Sequence, residues 1–121
     1  MIICKIQYVW HLLHFGIALL FVLGVAAFRL AKLYQSLGNS FQAFKYYSRC
    51  LERRDADNAP ATPETVEALQ FLAEYKEKCG TLEDLHEAEG YCTRLLKYSG
   101  PSKTKAQAML RGIRARIRAM E

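Results

Sequence analysis

At 121 residues the chain can hold one domain at most, which excludes multi-domain machinery and allows only a modest core. A hydrophobic content of 51% excludes global disorder, and three Pro and seven Gly among runs of Ala, Leu, Glu, Lys and Arg point to helix. The net charge of +5 is uneven: +2 over residues 1–29, +2 over 30–60, −4 over 61–100 and +5 over 101–121, so an acidic region lies beside a basic C-terminus that reads as a solvated, partly paired helix face before it reads as a nucleic-acid surface.

From Ile6 to Phe28 no residue carries a formal charge, a run of 23 residues. Such a run reaches the roughly 20 residues that a membrane-spanning helix needs. Lys5 ahead of it and Val25, Ala26 and Ala27 near its end also fit a signal sequence. If the run were an anchor over residues 8–28, Arg29 and Lys32 would keep the rest on the cytoplasmic side. Against an anchor stand Gln7, His11 and His14, the lack of a polar linker, and a helix pattern that already begins inside the run. The segment 1–28 is therefore read as an extra apolar helix, with a membrane span or a start foreign to the remainder both open. His11 and His14 share a helical face, but no carboxylate or thiol nearby completes a metal site, so a structural role is preferred.

The spacing next predicts a helix over Val25–Leu37 and another over Ser40–Arg54. Leu30, Ala31, Tyr34, Gly38, Ala43, Tyr47 and Cys50 follow a large-small-large order in which alanines let two helices approach and tyrosines fill the space between them. Gly38 ends the first helix, where a positive φ costs glycine little, and Asn39 with Gln42 looks like a capping box. The polar stretch Asp55–Pro63 breaks the pattern. Thr62 before Pro63 is then expected to cap a third helix reaching about Cys79, with Leu69, Leu72 and Ala73 on its apolar side and Gly80 as its stop.

A turn about three residues longer than the first is expected after Gly80, with Asp84 and Glu87 as a second capping box. In that register Ala88, Cys92 and Leu95 answer to Ala43, Tyr47 and Cys50, and Lys76 stands where the first pair has Tyr34. Gly100 and Pro101 end the fourth helix. Over Ser102–Glu121, Ala106, Met109, Leu110, Ile113, Ile117 and Met120 share one face, while Lys103, Lys105, Arg111, Arg114, Arg116 and Arg118 occupy the other. Such a helix can cover the last layer of a stack and present a wet side to solvent. The whole reads as an all-α, tetratricopeptide-type solenoid fragment: two helix pairs plus a capping helix over residues 29–121, whose packing residues are Leu30, Ala31, Tyr34, Gly38, Ala43, Tyr47, Leu72, Ala73, Gly80, Ala88, Cys92 and Leu95.

Chemistry is scarce. There is no phosphate-binding glycine loop, no GxSxG and no HExxH, and the acids Glu83, Asp84, Glu87 and Glu89 gather where a helix start favours negative charge. Cys4, Cys50, Cys79 and Cys92 lack the close spacing of a ligand set, so reduced, packed thiols of a cytosolic or nuclear protein are expected. No enzyme, cofactor or metal is expected.

The stretch Glu87–Lys103, EAEGYCTRLLKYSGPSK, with Leu110–Arg114, LRGIR, resembles the C-terminal end of the cell division cycle protein 23 family, subunit 8 of the anaphase-promoting complex, in its plant form. Leu30–Tyr34, Leu37 with Gly38, Tyr46 with Tyr47, and Leu51–Arg53 are similar to the family's preceding repeat, and Val66–Leu69 with Phe71–Ala73 to its next helix. The likeness covers residues 29–118; before that only Gly16–Leu19 resembles the family. The resemblance implies a non-catalytic scaffold subunit of a nuclear ubiquitin ligase acting in the cell cycle, with the other subunits of that complex as partners. It also implies a family of much longer chains that homodimerise through N-terminal repeats which this sequence lacks, so homodimerisation is not expected here. The rival expectations are a membrane-anchored tetratricopeptide adaptor and a basic helical nucleic-acid-binding protein.

Overall fold

The computed structural model describes residues 2–56, 62–98 and 101–121; the side chains of 2–4, 13–23, 56 and 101–102 lie outside the described set. Among the described residues every regular element is an α-helix: α1 (Ile2–Ser36), α2 (Ser40–Ala56), α3 (Pro63–Cys79), α4 (Leu82–Leu95) and α5 (Pro101–Met120). Short turns fold α2 back on α1 and α4 back on α3, and α2 then packs on α3 and α5 on α4. The result is a stack of antiparallel pairs in the manner of a tetratricopeptide solenoid.

Local chemistry explains the breaks. Gly38 and Gly80 take φ of 77° and 79°, a left-handed geometry in which any Cβ would be strained. Asn39 accepts the Gln42 amide through Oδ1 at 3.2 Å, starting α2. At α3, Thr62 accepts from the Thr65 amide and Thr65 returns a bond to the Thr62 amide, with Pro63 in the first turn.

α1 runs unbroken through the expected boundary after residue 28, since no proline occurs before Pro60. At 35 residues it is about 52 Å long. Its C-terminal part packs on α2 through Ala31; towards the other end Ile6, Tyr8, Val9, Trp10 and Leu12 are each more than half exposed. Among the described residues no helix is long and apolar enough to cross a membrane, but the centre of the uncharged run, residues 13–23, lies outside the described side chains. His11 is exposed, whereas the side chain of His14 lies outside that set.

The core has two parts. Ala31, Ala43, Tyr47, Leu51, Ala68, Leu69, Leu72, Leu95 and Ala106 close the first pair on α3. Ala73, Leu85, Ala88, Cys92, Leu110, Ile113 and Ile117 close the second pair under α5.

Candidate protein-interaction surface

In the first pair, Ala31, Ala43 and Tyr47 are fully buried. The two alanines bring α1 and α2 together, and the Tyr47 ring fills the joint to α3, edge-on to Phe28 at 5.9 Å and 4.7 Å from Phe71. Its hydroxyl donates to Gln35 Oε1 at 2.7 Å. Burial first, then the charge of Glu67, pushes the Tyr47 phenol up to about 12, so it stays protonated and serves packing. Phe71 continues the aromatic row to Tyr75 (6.2 Å), and Tyr75 stacks on Phe44 at 4.6 Å.

Tyr34 is half-buried, packed on the first core and stacked on Tyr46 at 5.5 Å. Leu30 sits differently from the sequence expectation: it is 38% exposed, lining a shallow groove between α1 and α2 that Tyr46, Arg49 and Arg53 also line. A packing pattern shows that Leu30 belongs to an apolar face, but only a neighbouring helix can bury it.

In the second pair Leu72, Ala73, Ala88, Cys92 and Leu95 are buried. The expected longer turn is corrected: α4 starts at Leu82, with Thr81 as its cap directly after Gly80, just as Asn39 follows Gly38. Thr81 Oγ1 accepts the Asp84 amide at 3.1 Å and donates to Asp84 Oδ2 at 2.7 Å. The two turns therefore match, and a shift of 42 residues places Leu85 opposite Ala43 and Cys92 opposite Cys50. Leu85 is fully buried and was not among the expected packing residues. The signal was present, since 85, 88, 92 and 95 step by three and four along one helical face, but a helix start placed too late hid it.

Asp84 and Glu87 do not form the expected capping box. They hold Lys76, whose ammonium lies 3.2 Å from Asp84 Oδ1 and 2.9 Å from Glu87 Oε2, and 4.9 Å from the Phe44 ring centroid. The hydrogen bond that Lys76 donates to Glu87 outweighs desolvation and, with the one it donates to Asp84, raises the Lys76 pKa well above its ordinary value. Lys76 thus fills its half-buried site as a cation satisfied by two carboxylates and a ring.

α5 lies over this pair with Ala106, Leu110, Ile113 and Ile117 buried, Met109 half-buried and Met120 exposed at 51%. Its basic side straddles the acidic pair: Lys105 meets Glu74 at 2.9 Å, Arg114 meets Glu89 at 3.2 Å, and Arg116 donates to the Glu77 carbonyl at 3.1 Å. Arg94 of α4 reaches α2 through a two-pronged contact with Asp55 at 2.9 and 3.2 Å. These exposed pairs orient the helices and each contributes about 0–1 kcal/mol.

This arrangement offers shape and charge to a partner, with packing as the role of its buried polar atoms. Among the described residues no group of three or more His, Cys, Asp or Glu is placed to hold a metal ion. The Cys92 thiol is pushed up to about 11 by burial and then by nearby Glu77, Glu74 and Glu89, the opposite of what a nucleophile requires.

No family model matches the chain. It is similar to anaphase-promoting complex subunit 8 of Arabidopsis thaliana, 50% identical over 91 residues, which is 75% of this chain and 15% of that protein. It is also similar to anaphase-promoting complex subunit 8 of Dictyostelium discoideum, 40% identical over 93 residues, 76% of this chain and 15% of that protein. No solved structure matches.

Proposed function

We propose, on the premise that three quarters of this chain is homologous to a segment of anaphase-promoting complex subunit 8, that it acts as a non-catalytic protein-interaction part of that complex. The carrying observation is the identity of 50% over 91 residues, too high over that length for a shared repeat pattern alone. The chain spans 15% of either relative's length, so its place among the other subunits, its nuclear location and its part in cell-cycle control all belong to this proposal.

The fold supplies what the role requires: rigid helix pairs whose outer faces present charge and apolar side chains, with the acidic pair and the basic α5 already bound to one another. Residues 1–28 form an apolar extension on this reading, and residues 29–121 carry the interaction. The test is affinity purification of the tagged full chain from its own cells, followed by identification of what is retained. Recovery of the other subunits of the anaphase-promoting complex supports the proposal; their absence from a nuclear, folded preparation overturns it. Fractionation of the same cells separates it from an N-terminal membrane anchor, which would bring the chain into the alkali-resistant membrane pellet.

A further inference from the structure

Between Gly90 and Met120 the sequence holds eight basic residues and no acidic one. Four of the eight are answered from elsewhere: Arg94 by Asp55, Lys105 by Glu74, Arg114 by Glu89 and Arg116 by Glu77. Lys97, Lys103, Arg111 and Arg118 have no carboxylate partner among the described residues, Arg118 donating to the Arg114 carbonyl of its own helix.

The fold sets this division. At 3.6 residues per turn, Lys103, Gln107, Arg111, Arg114 and Arg118 fall within about a quarter turn of one another on α5. All five are exposed. Lys105 and Arg116 lie on the opposite flank, against the acids of α3. On the α4 side a shallow hollow is lined by Leu96 and Leu110, with Gln107, Arg111 and Arg114 around them. From Lys103 to Arg118 the stripe runs about 22 Å. We infer that this valley between α4 and α5 is the seat of an acidic segment of a partner protein, with an apolar side chain in the Leu96–Leu110 hollow and carboxylates on Arg111 and Arg118.

Charge and lining select the occupant together. Carboxylates brought to Arg111 and Arg118 pair the cations that the chain leaves open, and the two leucines favour an apolar side chain between them. A nucleic-acid backbone would meet the same cations and make no use of the hollow. A second copy has no matching surface. Seven of the twelve acidic residues are already ion-paired, and Glu52, Asp57, Glu64, Glu83 and Glu121 are scattered along the sequence. The inference rests on this side of α5 and stands apart from membership of any complex.

The test uses the full chain and three labelled peptides of about twelve residues, read by fluorescence anisotropy. One carries glutamates around a central leucine, the second has serine for the leucine, and the third has glutamines for the glutamates. The first should bind, and the other two should each bind at least about fivefold more weakly. Arg111→Glu with Arg118→Glu changes two exposed side chains, so helix content and urea midpoint should hold while affinity for the first peptide falls at least about tenfold. Should the double reversal shift the urea midpoint, Arg111→Gln reads the same loss at about threefold or more with the fold kept. No binding of the first peptide, equal binding of the serine or the glutamine peptide, or undiminished binding by the folded variants would each overturn the inference. So would tighter binding of a single-stranded oligonucleotide of matched length, because the occupant would then be nucleic acid.

Discussion

The two ends of the stack both carry an apolar stripe on a helix, yet they do opposite things. At one end α5 turns Leu110, Ile113 and Ile117 inward and sets Lys105, Arg114 and Arg116 on the acidic groups of α3 and α4, leaving a charged outer face. At the other, α1 buries Ala31 against α2 but leaves Leu30, Leu33 and, in the turn that follows it, Leu37 partly or largely exposed. One end finishes a hydrophobic core and the other presents an unfinished one. An apolar stripe on a helix thus becomes a cap or an open face according to which side meets a neighbour.

The largest expected effect breaks the capped end. Ile113 is fully buried between α5 and the second pair, so Ile113→Asp places a carboxylate there without a partner and should lower stability by about 3–5 kcal/mol in urea unfolding of the full chain. A loss below about 1 kcal/mol would mean that α5 does not cap the stack. Ala43→Leu tests the close approach in the first pair: with Ala43 fully buried, the added carbons should cost about 1–3 kcal/mol. Thr81→Ala tests the corrected turn and should cost about 1 kcal/mol through loss of the α4 cap, whereas a neutral result would restore the later helix start.

The Lys76 cluster sharpens the comparison through pH. Hydrogen bonds from Thr81 and then Lys76 hold the Asp84 carboxyl below the usual carboxylate range. Its stabilising contribution is present above that range and is lost as pH falls through the lowered folded value. Lys76, whose pKa is raised, contributes below its ordinary value and loses that contribution as alkaline pH passes through the folded one. Unfolding midpoints measured across acid pH should therefore drop less in Asp84→Asn than in the native chain. The smallest effect belongs to the open end. Leu37→Ser, at a site 70% exposed, should change stability by no more than about 0.5 kcal/mol, in contrast to Ile113→Asp.

Much of the fold was legible because helix ends depend on local chemistry. Gly38 and Gly80 mark left-handed turns, Thr62 with Pro63 opens α3, and the stripe from Ala106 to Ile117 predicts the buried side of α5. What misled was the second turn. Asp84 looks as good a cap as Thr81 on sequence alone, and choosing it displaced the α4 register and hid Leu85.

By itself the sequence determined which residues share a face, since the 3.6-residue period and the capping groups operate within a few positions of one another. It could not determine which face meets another helix. Leu30 and Ile113 carry equally apolar side chains at helical spacing, and only the packing of α5 on α4 buries one while α1 leaves the other 38% exposed. The same holds for Lys76, a departure from the repeat pattern in sequence, which becomes the hub of a paired cluster once α4 brings Asp84 and Glu87 across to α3. Burial and ion pairing depend on what lies several ångströms away in space, and that distance is set by the tertiary fold.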